Sequence, residues 1–337
     1  AGYTGIHAHD LLKPSRPLEM PSAIENYVHW VLQSVEVVTA HSAIFKFATD
    51  DLKRGTPHPR GSGRMAKPVT WHVTMLGAVG ANGEGPLPWI ERDYTPISSA
   101  LEWERGRCEI LIKIYSNGQL TSWLDRLRTA APADDTRIWL SRPIKTLSVP
   151  SLATAEGGGE GFQPASVLLL LAGTGIVALP QIIAHREPIR LLGIPTNRSS
   201  QLPCPIDLIQ SCREDDLLLL PQIKEYCVEG MKKHPKFRGL RDYTLLLTKK
   251  SQNVPGTLIS SGENDSEVDC DAIFKDVPNA TTIKSQRLNR DIVANAVGRL
   301  LPPYRVVVSG PDAFNNAARE FLNDCGVDSN YLTVLSA

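Results

Sequence analysis

The sequence predicts a two-domain protein, an N-terminal antiparallel β-barrel followed by a C-terminal parallel, doubly wound α/β domain. Three observations carry that prediction. At 337 residues the chain is too long for one ordinary core and suits two domains of roughly 150 residues each. Its first half is built of short β-branched and aromatic runs, whereas its second half alternates strand and helix. The second half opens on Val167-Leu-Leu-Leu-Leu-Ala-Gly-Thr-Gly-Ile-Val-Ala-Leu-Pro180, where four consecutive leucines read as a strand buried on both faces.

Composition narrows the partners. Lys+Arg and Asp+Glu both number 36, and a neutral chain is poorly suited to nucleic acid, which needs a basic surface. The six cysteines are scattered with no C-x-x-C pair, as expected of reduced thiols in a cytosol-like compartment. The longest apolar window, Val167 to Ala184, contains Gly-Thr-Gly, Pro180 and Gln181, so it reads as core strand plus helix and not as a membrane span. The chain begins at Ala1 without a methionine, which leaves room for a removed leader, anchor or upstream domain.

In chain order, residues 1–26 hold three prolines and little periodicity and read as an arm or linker. A barrel domain over 27–150 follows, with strands at Val28–Val38, Ala43–Phe47, Trp71–Val79, Ile90–Ile97, Cys108–Tyr115 and Ile138–Leu140. A polar loop, 50–68, interrupts it. The strand ending at Tyr115 alternates cleanly, with Ile110, Ile112 and Ile114 on one side and Glu109, Lys113 and Tyr115 on the other. One helix, Leu120–Leu127, carries Leu120, Trp123, Leu124 and Leu127 on one face. A Pro/Ser/Gly-rich connector, Ser148–Gly161, marks the boundary with a second domain over 162–337.

That domain is expected to place strands at Val167–Leu171, Ile189–Ile194, Tyr243–Thr248, Arg305–Ser309 and Leu332–Leu335. Its helices are expected near Ile176–Ala184, Leu217–Val228, Asp291–Leu300 and Ala313–Cys325. The last is the clearest, started by Pro311 and stopped by Gly326. Residues 196–211 and 250–286 read as insertions.

The candidate chemistry lies at turns. Gly173-Thr-Gly175 joins a strand to a helix, an arrangement that aims backbone N–H groups at a phosphate. Ser309-Gly-Pro311 is a second such turn, and the two could line one crevice. In the barrel, the helix after Gly118 starts with Thr121 and Ser122 and no acidic residue, which suits either a phosphate or ordinary capping.

The following stretches resemble motifs of the cytochrome b5 reductase branch of the ferredoxin–NADP reductase-like flavoenzymes. Arg92-Asp-Tyr-Thr-Pro96, then Ile97-Ser98, is similar to the R-x-Y-T-P-x-S flavin motif. Ile112-Lys-Ile-Tyr115, then Gly118-Gln-Leu-Thr-Ser-Trp-Leu124, resembles its K-x-Y strand and G-x-x-S helix start. Ala172-Gly-Thr-Gly-Ile176 resembles the G-G-T-G-I nicotinamide turn, and Ser309-Gly-Pro311 the C-G-P turn. Glu214-Asp-Asp-Leu-Leu-Leu219 resembles the T-E-x-D-I-L-L stretch after the second strand.

The resemblance implies an FAD-dependent NAD(P)H oxidoreductase with FAD on the barrel and NADH, or NADPH, on the α/β domain. It implies FAD contacts from Arg92, Tyr94, Thr95, Pro96, Ser98, Ile112, Ile114, Tyr115, Gly118, Leu120 and Thr121. Nucleotide contacts would come from Gly173, Thr174, Gly175, Val177, Asp216, Gly310 and Pro311, with Thr95, Lys113 and Ser309 beside the reacting rings. It implies no metal, and a haem or iron–sulfur electron acceptor such as a b-type cytochrome. An arginine supplies the bidentate fork a pyrophosphate wants. Asp216, flanked by Glu214 and Asp215, would repel a 2′-phosphate and favour NADH, against Arg198, Arg213, Lys249 and Lys250.

This chain departs from the pattern at Ala172, at Val177-Ala178 where Thr-Pro is usual, and at Ser309 where cysteine is usual. Those departures bear on the nicotinamide side, and they define the alternative, a non-enzymatic flavin- or nucleotide-binding module.

Overall fold

The computed structural model describes residues 27–49, 68–78, 89–115, 118–129, 137–148, 164–185, 190–191, 194–195, 205–232, 239–249 and 270–336. The expected arm, the loop up to residue 67, and most of the connector and of both insertions lie outside these residues.

The first half forms β1 (Tyr27–Thr39), β2 (Ser42–Ala48), β3 (Pro68–Ala78), β4 (Trp89–Tyr94), α1 (Ala100–Glu104), β5 (Arg107–Lys113), α2 (Gln119–Thr129), β6 (Arg137–Ser141) and β7 (Ile144–Ser148). The strands pair antiparallel in the order β4-β3-β6-β1-β2-β5, with β7 on β3. Trp30, Phe45, Phe47, Val73, Met75, Ile110, Ile112 and Leu140 fill the interior. The path ends at β4 and β5, and residues 97–98 bridge that gap. Ile97 N–H donates to the Glu109 carbonyl at 2.8 Å, and Ser98 Oγ accepts from Glu109 N–H at 3.0 Å.

Two elements were not expected, α1 and β7. α1 is a short helix capped by Ser99, too brief for a 3.6-residue repeat to register. Trp103 anchors it, its ring 4.6 Å from Trp30 and 5.6 Å from Trp71.

The second half forms β8 (Ser166–Ala172), a 3-10 turn (Gly173–Val177), α3 (Ala178–His185), β9 (Arg190–Leu191), β10 (Ile194–Pro195), β11 (Ile206–Arg213), α4 (Leu220–Gly230) and β12 (Asp242–Thr248). It continues with α5 (Cys270–Phe274), β13 (Ala280–Ile283), α6 (Arg290–Val297), β14 (Tyr304–Gly310), α7 (Asp312–Asp324) and β15 (Leu332–Ser336). The order β13-β12-β11-β8-β14-β15 is parallel throughout. Every residue of β8 is buried because its two faces are both covered. Leu169 and Leu171 pack with α3, α4 and α5, and Leu168 and Leu170 with α6 and α7. A fully buried leucine contributes about 2 kcal/mol, which makes β8 the strand the domain can least afford to disturb.

The strand beside β8 corrects the sequence reading. The stretch around 189–194 supplies only the small antiparallel β9–β10 pair, and the sheet's next strand is β11, which starts inside the expected 196–211 insertion. Polar Asp207 and Gln210 hide it from an apolar-run criterion, yet both are buried. Arg241 Nε and Nη2 donate to the two Asp207 carboxylate oxygens at 2.8 and 2.5 Å, and Tyr243 OH donates to Gln210 Oε1 at 2.8 Å. Similarly, α5 and β13 fall inside the expected 250–286 insertion. No helix among the described residues is long and apolar enough to cross a membrane.

The alternation of β5 also sets the domain contact. Ile110 and Ile112 enter the barrel, while Leu111 on the other face joins Ile44 in the apolar cluster that contains Leu169, Ile176 and Leu218. The barrel and the α/β domain therefore share one apolar seam.

Candidate functional site

On β4 the two-residue period separates unlike charges. Residues directly opposite in an antiparallel pair share a face, so Arg92 and Tyr94 lie on the face of their partners Met75 and Val73. Glu91 and Asp93 lie on the other face, where Glu91 accepts from Tyr27 OH at 2.8 Å and Asp93 from Thr74 Oγ1 at 2.7 Å. Arg92 is exposed and donates through Nη1 to the Glu91 carbonyl at 2.7 Å. Burial pushes the Tyr94 phenol up to about 12, with Arg92 pulling it back and Tyr115 adding to the rise. Its hydroxyl therefore stays protonated, and a donor, at neutral pH. Thr95 is half-buried and Pro96 buried.

The patch after β5 is tighter than expected. Ile112, Ile114 and Leu120 belong to the barrel core, so their side chains are spent on packing, and Ile114 N–H already donates to the His41 carbonyl at 2.7 Å. The Ser98 hydroxyl accepts from β5, which leaves its own O–H as the donor it could offer a ligand. Thr121 is buried and its hydroxyl meets the Tyr115 main chain, accepting from N–H at 3.3 Å and lying 3.2 Å from the carbonyl. A Cβ on Gly118 would lie 2.2 Å from Thr121 Oγ1, so this glycine serves the turn. What remains available is exposed Tyr115 and the start of α2, whose first turn carries no acid.

In the α/β domain the two glycines of one turn do different work. Gly173 has φ +52°, and a Cβ there would meet nothing within 4 Å, so its main chain is approachable. A Cβ on Gly175 would lie 2.2 Å from the Ser309 carbonyl oxygen, so Gly175 lets the two turns touch. Gly310 is held from the other side by Asn315 Nδ2, which donates to its carbonyl at 2.8 Å. Ser309 is buried, Thr174 and Val177 are half-buried, and Pro311 is exposed at the start of α7. Ala172 has φ −135° and ψ 139°, extended backbone that alanine adopts freely, so its replacement of a glycine strains nothing.

Gly175→Ala is expected to lower stability by about 3 kcal/mol, because the methyl meets main chain that cannot rotate away. Gly173→Ala should cost roughly 1 kcal/mol, since only its left-handed backbone is disfavoured. Denaturant unfolding checks both, and a Gly175→Ala protein as stable as wild type would show that the turns are not packed this closely.

Among the described residues, two polar side-chain links also cross the seam. Lys113 Nζ forms an ion pair with Asp216 Oδ2, and Asp216 is only 4% exposed. Asp216 Oδ1 has no hydrogen-bond partner among the described residues. The loop that presents it ends at Leu219, a buried non-glycine residue with φ 59°, a strained backbone of the kind that persists only where surroundings enforce it. Asp216, expected among the nucleotide contacts, is thus a buried carboxylate paired with Lys113. The exposed acid there is Glu214, while Asp215 pairs with Arg213 at 3.2 Å. Lys249 is exposed, and Arg198 and Lys250 lie outside the described residues.

The second contact, Gln181 on α3, was not foreseen as a site residue. Its Oε1 accepts from Trp71 N–H at 2.8 Å, and its Nε2 donates to the Trp71 carbonyl at 3.1 Å and the Pro96 carbonyl at 2.7 Å. The only signal in the sequence is a lone amide in an apolar window.

Residues 29–133 match the family described as oxidoreductase FAD-binding domain. The chain is 24% identical over 218 residues to NADH-cytochrome b5 reductase 1 of Dictyostelium discoideum, covering 64% of this chain and 59% of that protein. It is 28% identical over 116 residues to NADH-cytochrome b5 reductase 1 of Aspergillus oryzae, covering 34% and 33%. It thus spans less than two thirds of the length of these curated relatives. Among solved structures, the cytochrome b5 reductase domain of Ulva prolifera nitrate reductase superposes with a TM-score of 0.58 at 14% identity, over 93% of this chain and 97% of that one. A ferredoxin NADP+ reductase from Neisseria gonorrhoeae superposes with a TM-score of 0.52 at 12% identity, over 92% and 98%. Both share the two-domain fold.

Proposed function

We propose that this chain, a cytochrome b5 reductase-like member of the ferredoxin–NADP reductase flavoenzyme superfamily, is an FAD-dependent NAD(P)H oxidoreductase feeding a haem or iron–sulfur protein. One observation carries the reading. The Arg92–Pro96 patch of the barrel and the helix behind the Gly173–Gly175 turn are tied together across the seam by Gln181. A flavin on the first and a nicotinamide on the second would face each other.

The residues present fit both groups. Arg92 stands on a face from which the neighbouring carboxylates are turned away, α2 begins without an acid, and the Gly173 main chain is approachable. Arg92 would hold the FAD pyrophosphate with a bidentate fork, helped by the α2 N–H groups. Tyr94 and Tyr115 offer flat faces, and Thr95 a small hydroxyl at the ring edge. Gly173 and Thr174 would hold the nicotinamide dinucleotide, with Ser309, Gly310 and Pro311 on its other side. When bound, FAD supplies the chemistry, accepting a hydride from nicotinamide and releasing electrons singly. The protein aligns the two rings and keeps water out, and no side chain need act as acid or base. A b-type cytochrome as acceptor, and NADH as donor, are read from the names of the two curated relatives.

An anaerobic absorption spectrum tests this. Purified protein should be yellow with one FAD per chain and should bleach on adding NADH, faster than with NADPH. A colourless protein that takes up no added FAD ends the reading. A yellow protein that neither nucleotide bleaches leaves only a binding module.

A further inference from the structure

From the geometry of Gln181 we infer a positioning residue that ties the flavin-bearing loop of the barrel to the nicotinamide domain; this rests on the function proposed above. The side chain is 4% exposed and leaves no polar atom idle. Its Oε1 accepts one N–H and its two amide hydrogens serve two carbonyls, so each group has a partner of matching sense. With Trp71 it makes the reciprocal pair that a neighbouring strand would make, which lets α3 dock on β3 as though it continued the sheet. The third bond, to the Pro96 carbonyl, falls on the residue after Thr95. Thr95 and Pro96 have no repetitive structure of their own, so their place is set by what holds them, and Gln181 holds them from the opposite domain.

The consequence is directional. α3 begins one residue after the 3-10 turn that carries Gly173 and Gly175. Any shift of that turn along the seam is passed through α3 and Gln181 to Pro96, so the two proposed ring sites move together. A rigid link matters here because a misplacement of about 1 Å between reacting rings can cost on the order of a hundredfold in rate. An apolar side chain of the same length would fill the space but leave one N–H and two carbonyls buried without partners.

Two substitutions test this in the full chain. Gln181→Met keeps the volume and removes all three bonds. Gln181→Glu keeps the acceptor for Trp71 N–H but sets a carboxylate against two carbonyls. Hydrogen exchange at the Trp71 amide, measured on FAD-free protein, reports the tie without any turnover. It should be slow in wild type and at least about tenfold faster in Gln181→Met. In FAD-loaded protein, anaerobic bleaching at saturating NADH should slow by about tenfold or more in both variants, with the NADH concentration for half-maximal rate changed far less. Gln181→Glu should recover part of its rate as pH falls and its carboxyl gains a proton to donate, whereas Gln181→Met should not. Variants that exchange Trp71 faster yet bleach at the wild-type rate would make Gln181 merely structural and overturn the proposal. A wild type that takes up no FAD would instead sink the assigned function, with the proposal resting on it.

Discussion

Arg92→Ala is expected to lose FAD while keeping the fold. Each charge-assisted hydrogen bond to a phosphate is worth about 1.5–3 kcal/mol, so removing a bidentate cation should weaken FAD binding by at least about a hundredfold. The fold should be spared because the Arg92 side chain is exposed and its own bond is to the adjacent Glu91 carbonyl. Exposed substitutions of this kind stay within about 0.5 kcal/mol of wild type. Arg92→Lys should fall between, since an ammonium keeps the charge and loses the fork. Fluorescence titration of FAD, alongside unfolding of the FAD-free proteins, separates the two effects. Unchanged FAD affinity in Arg92→Ala would move the pyrophosphate away from β4.

The Lys113–Asp216 pair should give the largest change in stability. Removing one partner of a buried ion pair typically costs about 3–5 kcal/mol. The two single variants should not be equal. Lys113 lies on a long arm with a side chain 19% exposed, against 6% for Asp216, so an unpaired ammonium can still reach water. An unpaired Asp216 cannot, and its second oxygen already lacks a partner among the described residues. Lys113→Met should therefore destabilise more than Asp216→Ala, and the double variant Lys113→Met/Asp216→Leu should recover most of the loss. Asp216→Ala should also shift preference toward NADPH by releasing a cation at the seam, an effect that salt screens. If Asp216→Ala shifts nucleotide preference at unchanged stability, the aspartate acts on the ribose, as the sequence motif implied, and the seam pair carries little weight.

The site shows where reading a chain in one dimension succeeds. On the strand ending at Tyr115, Ile110 and Ile112 turn inward and Lys113 turns away, as the two-residue period alone predicts. The glycine turns are equally legible, although only the folded packing separates Gly173, which needs a left-handed backbone, from Gly175, which needs room for the Ser309 carbonyl. Ile112, Ile114, Leu120 and Ser98 were placed with the ligand because they sit inside motifs. The structure packs the first three side chains into the core and sets the Ser98 hydroxyl against β5, since a motif fixes a stretch of chain and not the direction of every residue in it.

The two architectures, the strand buried on both faces and the turns that could approach a phosphate were legible in the sequence, because periodicity and backbone preference act between near neighbours. It concealed β11, whose buried Asp207 and Gln210 are satisfied by Arg241 and Tyr243, more than thirty residues away. How the domains meet is set by contacts between segments far apart in the chain. Gln181 reaches Trp71 across 110 positions, and Lys113 reaches Asp216 across 103. A periodic pattern tells which face a side chain takes, but the partner on that face is chosen by the packing of a distant segment, and no local preference encodes it.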